Sequence, residues 1–436
     1  MGHLLYFIFL NVIMTTDAGF MAPLFSRISE IFNVSDTDIS WLISIMSIAS
    51  AVFLPLWGMI SDKVNRVYMI FFMVLAGALI SLCTVFTITA RSEFWFFGLM
   101  RLLAVVINTS LGPAIFTLLA DLVASRERGV IIGWMGIAGT VAIGMGFIVS
   151  GIIPAIIYGD DFPLAFPFWF DFFAGIGFCG LTLLLKEPER GAKDEGLMAL
   201  HEKGERYEYS LTLDGARDIL KKKVNLQLLL FTFLIVVGNS ALGTFFIKFL
   251  EEQHGLGTGL ATLIMFGVFG VQLAGQIYWG GIGDRRFKER KEGRLKVMIR
   301  ILSIGSFFLV PAFLIPFDFQ DRSWMFYIFA IIMAIGSFFA VGVNPNRGVL
   351  VADVNYPEER GTVNSIMFLA NTAATASIAP IFAMLAERTP LNYSGAFFLV
   401  LAVSLPSSIL VLLPMRETIG PGIEKIQEDL RKRVER

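Results

Sequence analysis

Twelve stretches of predominantly apolar residues run along this 436-residue chain, and they limit its fold more than any single motif does. They lie near 4–26, 39–60, 67–89, 95–119, 130–157 and 164–185, then, after a charged stretch, near 225–249, 258–282, 296–317, 324–351, 362–386 and 391–414. Each has about twenty residues or more, the length a helix needs to cross the hydrocarbon of a bilayer. Inside lipid the backbone has no water to bond to, so a spanning segment must be a helix or a strand of a closed barrel. The runs are continuous and do not alternate residue by residue, which excludes the barrel. Charge agrees, because 16% of residues are charged against 56% hydrophobic, too few to cover a soluble surface. The fold class is therefore an all-α membrane protein with twelve transmembrane helices. The first stretch lacks a basic leader and a small-residue cleavage pattern, so it is expected to remain as a membrane helix.

The twelve fall into two sixes, and a repeat relates them. Ala120-Asp121 followed by Glu127-Arg128-Gly129 returns as Ala352-Asp353 followed by Glu359-Arg360-Gly361 with identical spacing. Pro113 and Leu118 stand in register with Pro345 and Leu350. Gly58-x-x-x-Asp62-Lys63 returns as Gly280-x-x-x-Asp284-Arg285. Duplicated halves are how many secondary transporters are built, with the substrate site between them. The expected organisation is a six-helix bundle at 1–185, a cytoplasmic linker at 186–223, a second pseudo-symmetric six-helix bundle at 224–415, and a solvated tail at 416–436. The end of the linker, Leu211 to Lys223, has the pattern of a helix lying on the membrane surface.

Basic residues set the orientation. Loops after even-numbered spans hold Lys63, Arg66, Arg126, Arg128, Lys221 to Lys223 and the cluster Arg285 to Lys296, whereas the other loops hold Arg27, Arg91, Lys248, Arg322 and Arg388. The positive-inside rule then places the basic loops and both termini in the cytoplasm of a multi-pass cell-membrane protein.

With these two halves and a Gly-x-x-x-Asp-basic signature after spans two and eight, the whole chain resembles the major facilitator superfamily. That resemblance implies the superfamily's fold of two six-helix bundles. Its motif Gly-x-x-x-Asp-Arg-x-Gly-Arg reads here Gly58-Met-Ile-Ser-Asp62-Lys63-Val-Asn65-Arg66. The first half is similar to the Spinster group, which includes lysophospholipid and sphingolipid transporters. The carriers of that likeness are Gly58 to Tyr68 including Asn65, Thr117 to Leu122, Glu187-Pro188-Glu189-Arg190-Gly191, and Asp17 at the group's first-span aspartate. Asn108 departs from the group's fourth-span glutamate and Ala18 from its first-span arginine.

Two sets of residues are expected to act. A cytoplasmic gate is implied by the resemblance at Gly58, Asp62, Lys63, Arg66, Asp121, Arg128, Gly280, Asp284, Arg285, Asp353 and Arg360. Physically, Gly58 and Gly280 allow another helix to come close, and the acids can accept from helix N-termini and basic side chains. Within the spans, charges are costly and so mark function. Asp17, Arg101, Asp171 and Arg347 are such charges. Asp17 lies near the middle of span one, where a carboxyl is expected to exchange a coupling proton, with sodium as the alternative ion. Arg101 shares a face of span four with Asn108 and lies near the outer end, from which its side chain could also reach toward the membrane surface. The expected substrate contacts are Arg101, Asn108, Asn239, Gln272, Asn344, Arg347 and Asn371.

No Walker loop, dinucleotide fingerprint or metal triad appears, so no enzyme, no cofactor and no metal is expected. The reading is a monomeric secondary active transporter in a lipid bilayer, moving a small or amphipathic solute by alternating access. Proton coupling through Asp17 and a lysophospholipid-like substrate are favoured, and no nucleic-acid partner is expected. The alternatives are an uncoupled facilitator, a drug or organic-anion exporter, and a non-transporting sensor or scaffold on the same fold.

Overall fold

The computed structural model describes residues 2–61, 63–122, 128–185, 187, 222–317, 324–356 and 359–434. Every regular element among them is helical. Ten helices are long and apolar enough to cross a membrane, a bent pair makes an eleventh, and Phe166–Thr182 is a shorter apolar helix. Each of the twelve apolar segments read from the sequence falls on one of these. The chain divides into two compact units, Met1–Tyr209 with Gly257–Leu263, and Ser210–Leu256 with Ile264–Arg436.

In the first unit, span one is α1 (Gly2–Thr16), a 3-10 turn (Asp17–Gly19) and α2 (Met21–Phe32). Spans two and three are α3 (Asp36–Ser61) and α4 (Arg66–Thr89). Span four is split into α5 (Phe94–Thr109) and α6 (Leu111–Leu122). Span five is α7 (Arg128–Phe147), a π turn (Ile148–Ile152) and α8 (Ile153–Tyr158), and span six is α9 (Phe166–Thr182).

Next come α10 (Lys223–His254) in the second unit, α11 (Thr258–Glu289), which belongs to the first unit up to Leu263 and to the second beyond it, and α12 (Gly293–Ala312) in the second. Then come α13 (Trp324–Ala340), α14 (Val343–Asp353), α15 (Arg360–Arg388), α16 (Asn392–Leu412) and the terminal α17 (Ile419–Val434).

The first span is not the single straight helix that its apolar run suggests. It bends by 40° between Gly19 and Met21, directly after the turn carrying Asp17. The cause lies in another helix. A Cβ on Gly19 would fall 2.9 Å from the Gly146 Cα and closer still to the Ile143 carbonyl oxygen, so α7 presses backbone against backbone there. Small residues permit that approach, and the helix adjusts locally around it.

Span four breaks at Ser110, where the amide turns to the Ile107 carbonyl in a tighter turn. The indole Nε1 of Trp57 on α3 donates to the Val106 carbonyl at 2.8 Å, satisfying an acceptor that the break leaves over. Span ten breaks at Val341-Gly342, between α13 and α14. The spacing that relates Asp121 to Asp353 also relates Ser110 to Gly342, so the duplication includes the break. The motif's Asn65, in place of a second glycine, is explained locally. Its Oδ1 accepts from the Tyr68 amide at 3.0 Å and caps α4.

The second signature does not lie in a loop. Helix α11 runs through Gly280 and Arg285 to Glu289, because Arg285, Arg286, Lys288 and Glu289 are good helix formers and Arg286 pairs with Glu289 at 2.8 Å one turn on. The linker's 188–221 lie outside the described residues, and with them most of the expected surface helix. The tail is helical, with Glu424, Lys425, Glu428 and Lys432 exposed and the other face docked. Ile419 and Ile423 on α17 are buried, and the Tyr356 hydroxyl donates to Asp429 at 2.9 Å.

Candidate functional site

Span one places Asp17 at its break, 4% exposed, and α5 brings Arg101 to it. Nη2 of Arg101 donates to Asp17 Oδ1 at 2.5 Å, and Asn108 Nδ2, two turns further along α5, reaches Asp17 Oδ2 at 3.4 Å. Asp17, Arg101 and Asn108 are thus one site. Arg101 is 1% exposed, so it does not reach toward the membrane surface as its place near the outer end of span four allows. Its pairing with Asp17 holds the Arg101 guanidinium inward, because a buried charge without a partner would be costly. Its plane lies over the Phe168 ring at 5.0 Å. Asp171, one turn beyond Phe168 on α9, accepts from Ser81 Oγ at 2.5 Å and interacts electrostatically with both Asp17 and Arg101.

The remaining expected substrate contacts lie in the second unit. Asn239 is exposed on α10, and Gln272, Asn344, Arg347 and Asn371 are half-buried on α11, α14 and α15. Asn239 and Asn371 flank the place where Ser240 and Thr375 hydroxyls bond at 2.8 Å. Arg347 forms no ion pair among the described residues. Its Nη1 is buried without a hydrogen-bond partner among the described residues. A cation left in that state is positioned to receive an anionic group.

The residues expected to form the gate divide into those that are paired and those that are not. In the first unit Arg66 is buried, and its Nε and backbone amide both donate to the Glu187 carboxylate at 3.0 Å. Lys63 is exposed. Asp62 lies outside the described residues, as do the side chains of Asp121 and Arg128, which stand at the end of α6 and the start of α7. In the second unit the centre is Arg294, which binds Asp284 at 2.6 Å and also Asp353. Arg360 Nε donates to the Ala352 carbonyl at 3.1 Å and sits close enough to Asp353 to interact with it. Arg285 is exposed and outside this network, because neighbouring residues on a helix point about 100° apart. Beside Arg294, Lys296 donates to Glu292 at 2.8 Å, and that bond holds the Glu292 carboxyl below the usual glutamate range.

The glycines of the gate correct an expectation. A Cβ on Gly58 would meet nothing within 4 Å, and one on Gly280 would meet Pro345 at an ordinary 3.5 Å. The crowded glycine is Gly283, one turn later, which faces the buried Asn346 side chain. The physical reason is that α11 continues past Gly280, so its contact with α14 falls further along.

Three residues escaped the sequence reading. Arg294 is one, although it stands at the start of span nine as Arg66 does at the start of span three. Asn346 is another, bonding the Trp279 and Gly342 carbonyls at 3.0 and 2.8 Å. Trp279 is the third: the pairs Trp57-Gly58 and Trp279-Gly280 extend the repeated signature by one position. Its indole Nε1 is buried with no partner among the described residues, unlike that of Trp57.

Comparison with known proteins follows from this geometry. The family model of the Major Facilitator Superfamily matches residues 7–316 and 228–434. The chain is 27% identical over 188 residues to protein spinster homolog 1 of Xenopus tropicalis, covering 42% of this chain and 34% of that protein. It is 25% identical over 189 residues to protein spinster homolog 3 of Danio rerio, covering 43% and 37%. The match thus spans about a third of the curated relatives' length. Among solved structures, a bacterial homolog of the human lysosomal transporter Spinster, inward-facing and unoccupied, superposes with a TM-score of 0.69 at 17% identity, over 98% of this chain and 97% of that one. A D-xylose–proton symporter superposes at 0.68 with 13% identity, over 96% and 98%.

Proposed function

The chain belongs to the Major Facilitator Superfamily, and we propose that within it the protein is a proton-coupled carrier of an amphipathic solute, with a lysophospholipid-like molecule favoured. It is a multi-pass membrane transporter and not an enzyme. The proposal extends to alternating access, to a monomer in the cell membrane and to cytoplasmic termini, which the basic loops support.

The observation that carries the coupling is the buried Asp17–Arg101 pair at the break of span one. A proton on Asp17 would cancel the charge that holds Arg101 and loosen the turn between α1 and α2. Proton binding and helix geometry are then two readings of one event. Likeness to spinster proteins supports the lipid-like substrate. A second reading, an organic-anion exporter, is favoured by the unpartnered Arg347.

Proteoliposome flux tests both. With an imposed pH gradient, wild-type protein accumulates a labelled lysophospholipid, while Asp17→Asn retains only downhill movement. Gradient-driven accumulation that survives this change would sink the coupling role of Asp17. Transport of simple organic anions but not lysolipids, lost in Arg347→Gln, would move the assignment to the second reading.

A further inference from the structure

Among the described residues of the first unit, a second buried carboxyl, Asp171, accompanies the Asp17–Arg101 pair. Asp17 on span one and Asp171 on span six are both buried, and Arg101 on span four interacts with both. Arg101 bonds Asp17 through Nη2, whereas its Nε and Nη1 are buried with no hydrogen-bond partner among the described residues. Its guanidinium stacks on Phe168, one turn from Asp171 along α9. Two donors are therefore available beside a second carboxyl.

The groups around α9 leave little else to balance Asp171. From α4 it receives the Ser81 hydroxyl bond. From α1, Tyr6 reaches only the far end of the helix, at Thr182 and the Phe178 carbonyl. Cys179 on α9 itself points to the Phe71 carbonyl at 3.7 Å. The π turn Ile148–Ile152 carries no titratable side chain. With both acids ionised, one negative charge would stand uncompensated in apolar surroundings, which is costly.

We infer that Asp171 is a second proton site of the same machinery. It holds a proton while Arg101 is engaged by Asp17. On losing that proton to water, by breaking only its O–H bond, it accepts a hydrogen bond from Arg101 Nη1 or Nε. Arg101 then bridges spans one, four and six, and proton release draws three helices of the first unit onto one guanidinium. This deepens the proton-coupling reading and rests on it for its use in transport, but not for its test.

Difference infrared spectroscopy of purified protein in nanodiscs reads a protonated carboxyl directly through its C=O stretch. At neutral pH the wild type shows that band, and Asp171→Asn loses it. Asp17→Asn loses it as well, because the freed Arg101 passes to Asp171 and ionises it. Asp171→Glu keeps the band at a shifted frequency, so the assignment stands on this variant if the Asn variant does not fold. A band that persists in folded Asp171→Asn, or that Asp17→Asn leaves unchanged, overturns the inference. Flux that proves independent of the pH gradient would refute the coupling reading and leave this titration result intact.

Discussion

At the scale of single residues, the second unit's ion network shows what a motif conveys and what it omits. The signature marks Asp284 and Arg285 as neighbours in sequence, yet the helix turns them apart, and Arg294 from the next span completes the cluster. Arg294 is 3% exposed, and removing its charge leaves Asp353 only the weaker interactions with Arg360 and Lys291 and leaves Asp284 without its partner. Arg294→Gln should therefore lower stability by about 2–4 kcal/mol, whereas Arg285→Gln at its exposed site should stay within about 0.5 kcal/mol. Thermal unfolding of the two purified variants compares them directly, and an equal effect would remove Arg294 from the centre of the network. The in-span charges Asp17, Arg101 and Arg347 were legible in the sequence because apolar runs make a charge conspicuous. Their pairing was not, since no spacing rule says which of two buried acids an arginine on another helix will choose.

At the scale of elements, apolar length was enough to locate the helices, but not to say where they bend. The break at Asp17 depends on Gly19 meeting Gly146 on a helix far along the chain. Gly19→Ala should cost about 1–3 kcal/mol by overpacking this contact. Gly58→Ala, with nothing within 4 Å of the added methyl, should be neutral or raise stability by up to about 1 kcal/mol through helix propensity. Melting temperatures of the pair decide it, and a tolerated Gly19→Ala would mean that the close approach does not cause the bend. The π turn at Ile148–Ile152 was equally hidden, although its surroundings are glycine-rich, because glycine permits an irregular turn without specifying one.

At the scale of the whole molecule, two features of the sequence carried the fold class: segment length and the internal repeat. Orientation rests on the distribution of basic loops. Exposed Trp41, Trp95, Tyr158, Trp169, Trp324 and Tyr327 stand at the helix ends away from those loops, and exposed Tyr68 and Tyr278 toward the basic ends, as belts at two interfaces would. Epitope tags on both termini should resist protease added to intact cells and become cleavable once the membrane is permeabilised. Cleavage of either tag in intact cells would invert the assignment.

The breaks at Ser110 and Gly342 have a consequence for how the two halves came to differ. A joint at the same register in both copies is what a break already present in the duplicated half would leave. The bend at Asp17 has no counterpart in the unbroken α10, and Trp57 closes an acceptor while Trp279 leaves its donor open. The broken span is thus common to both copies, whereas the bend near Asp17 and the open indole of Trp279 each belong to one copy alone.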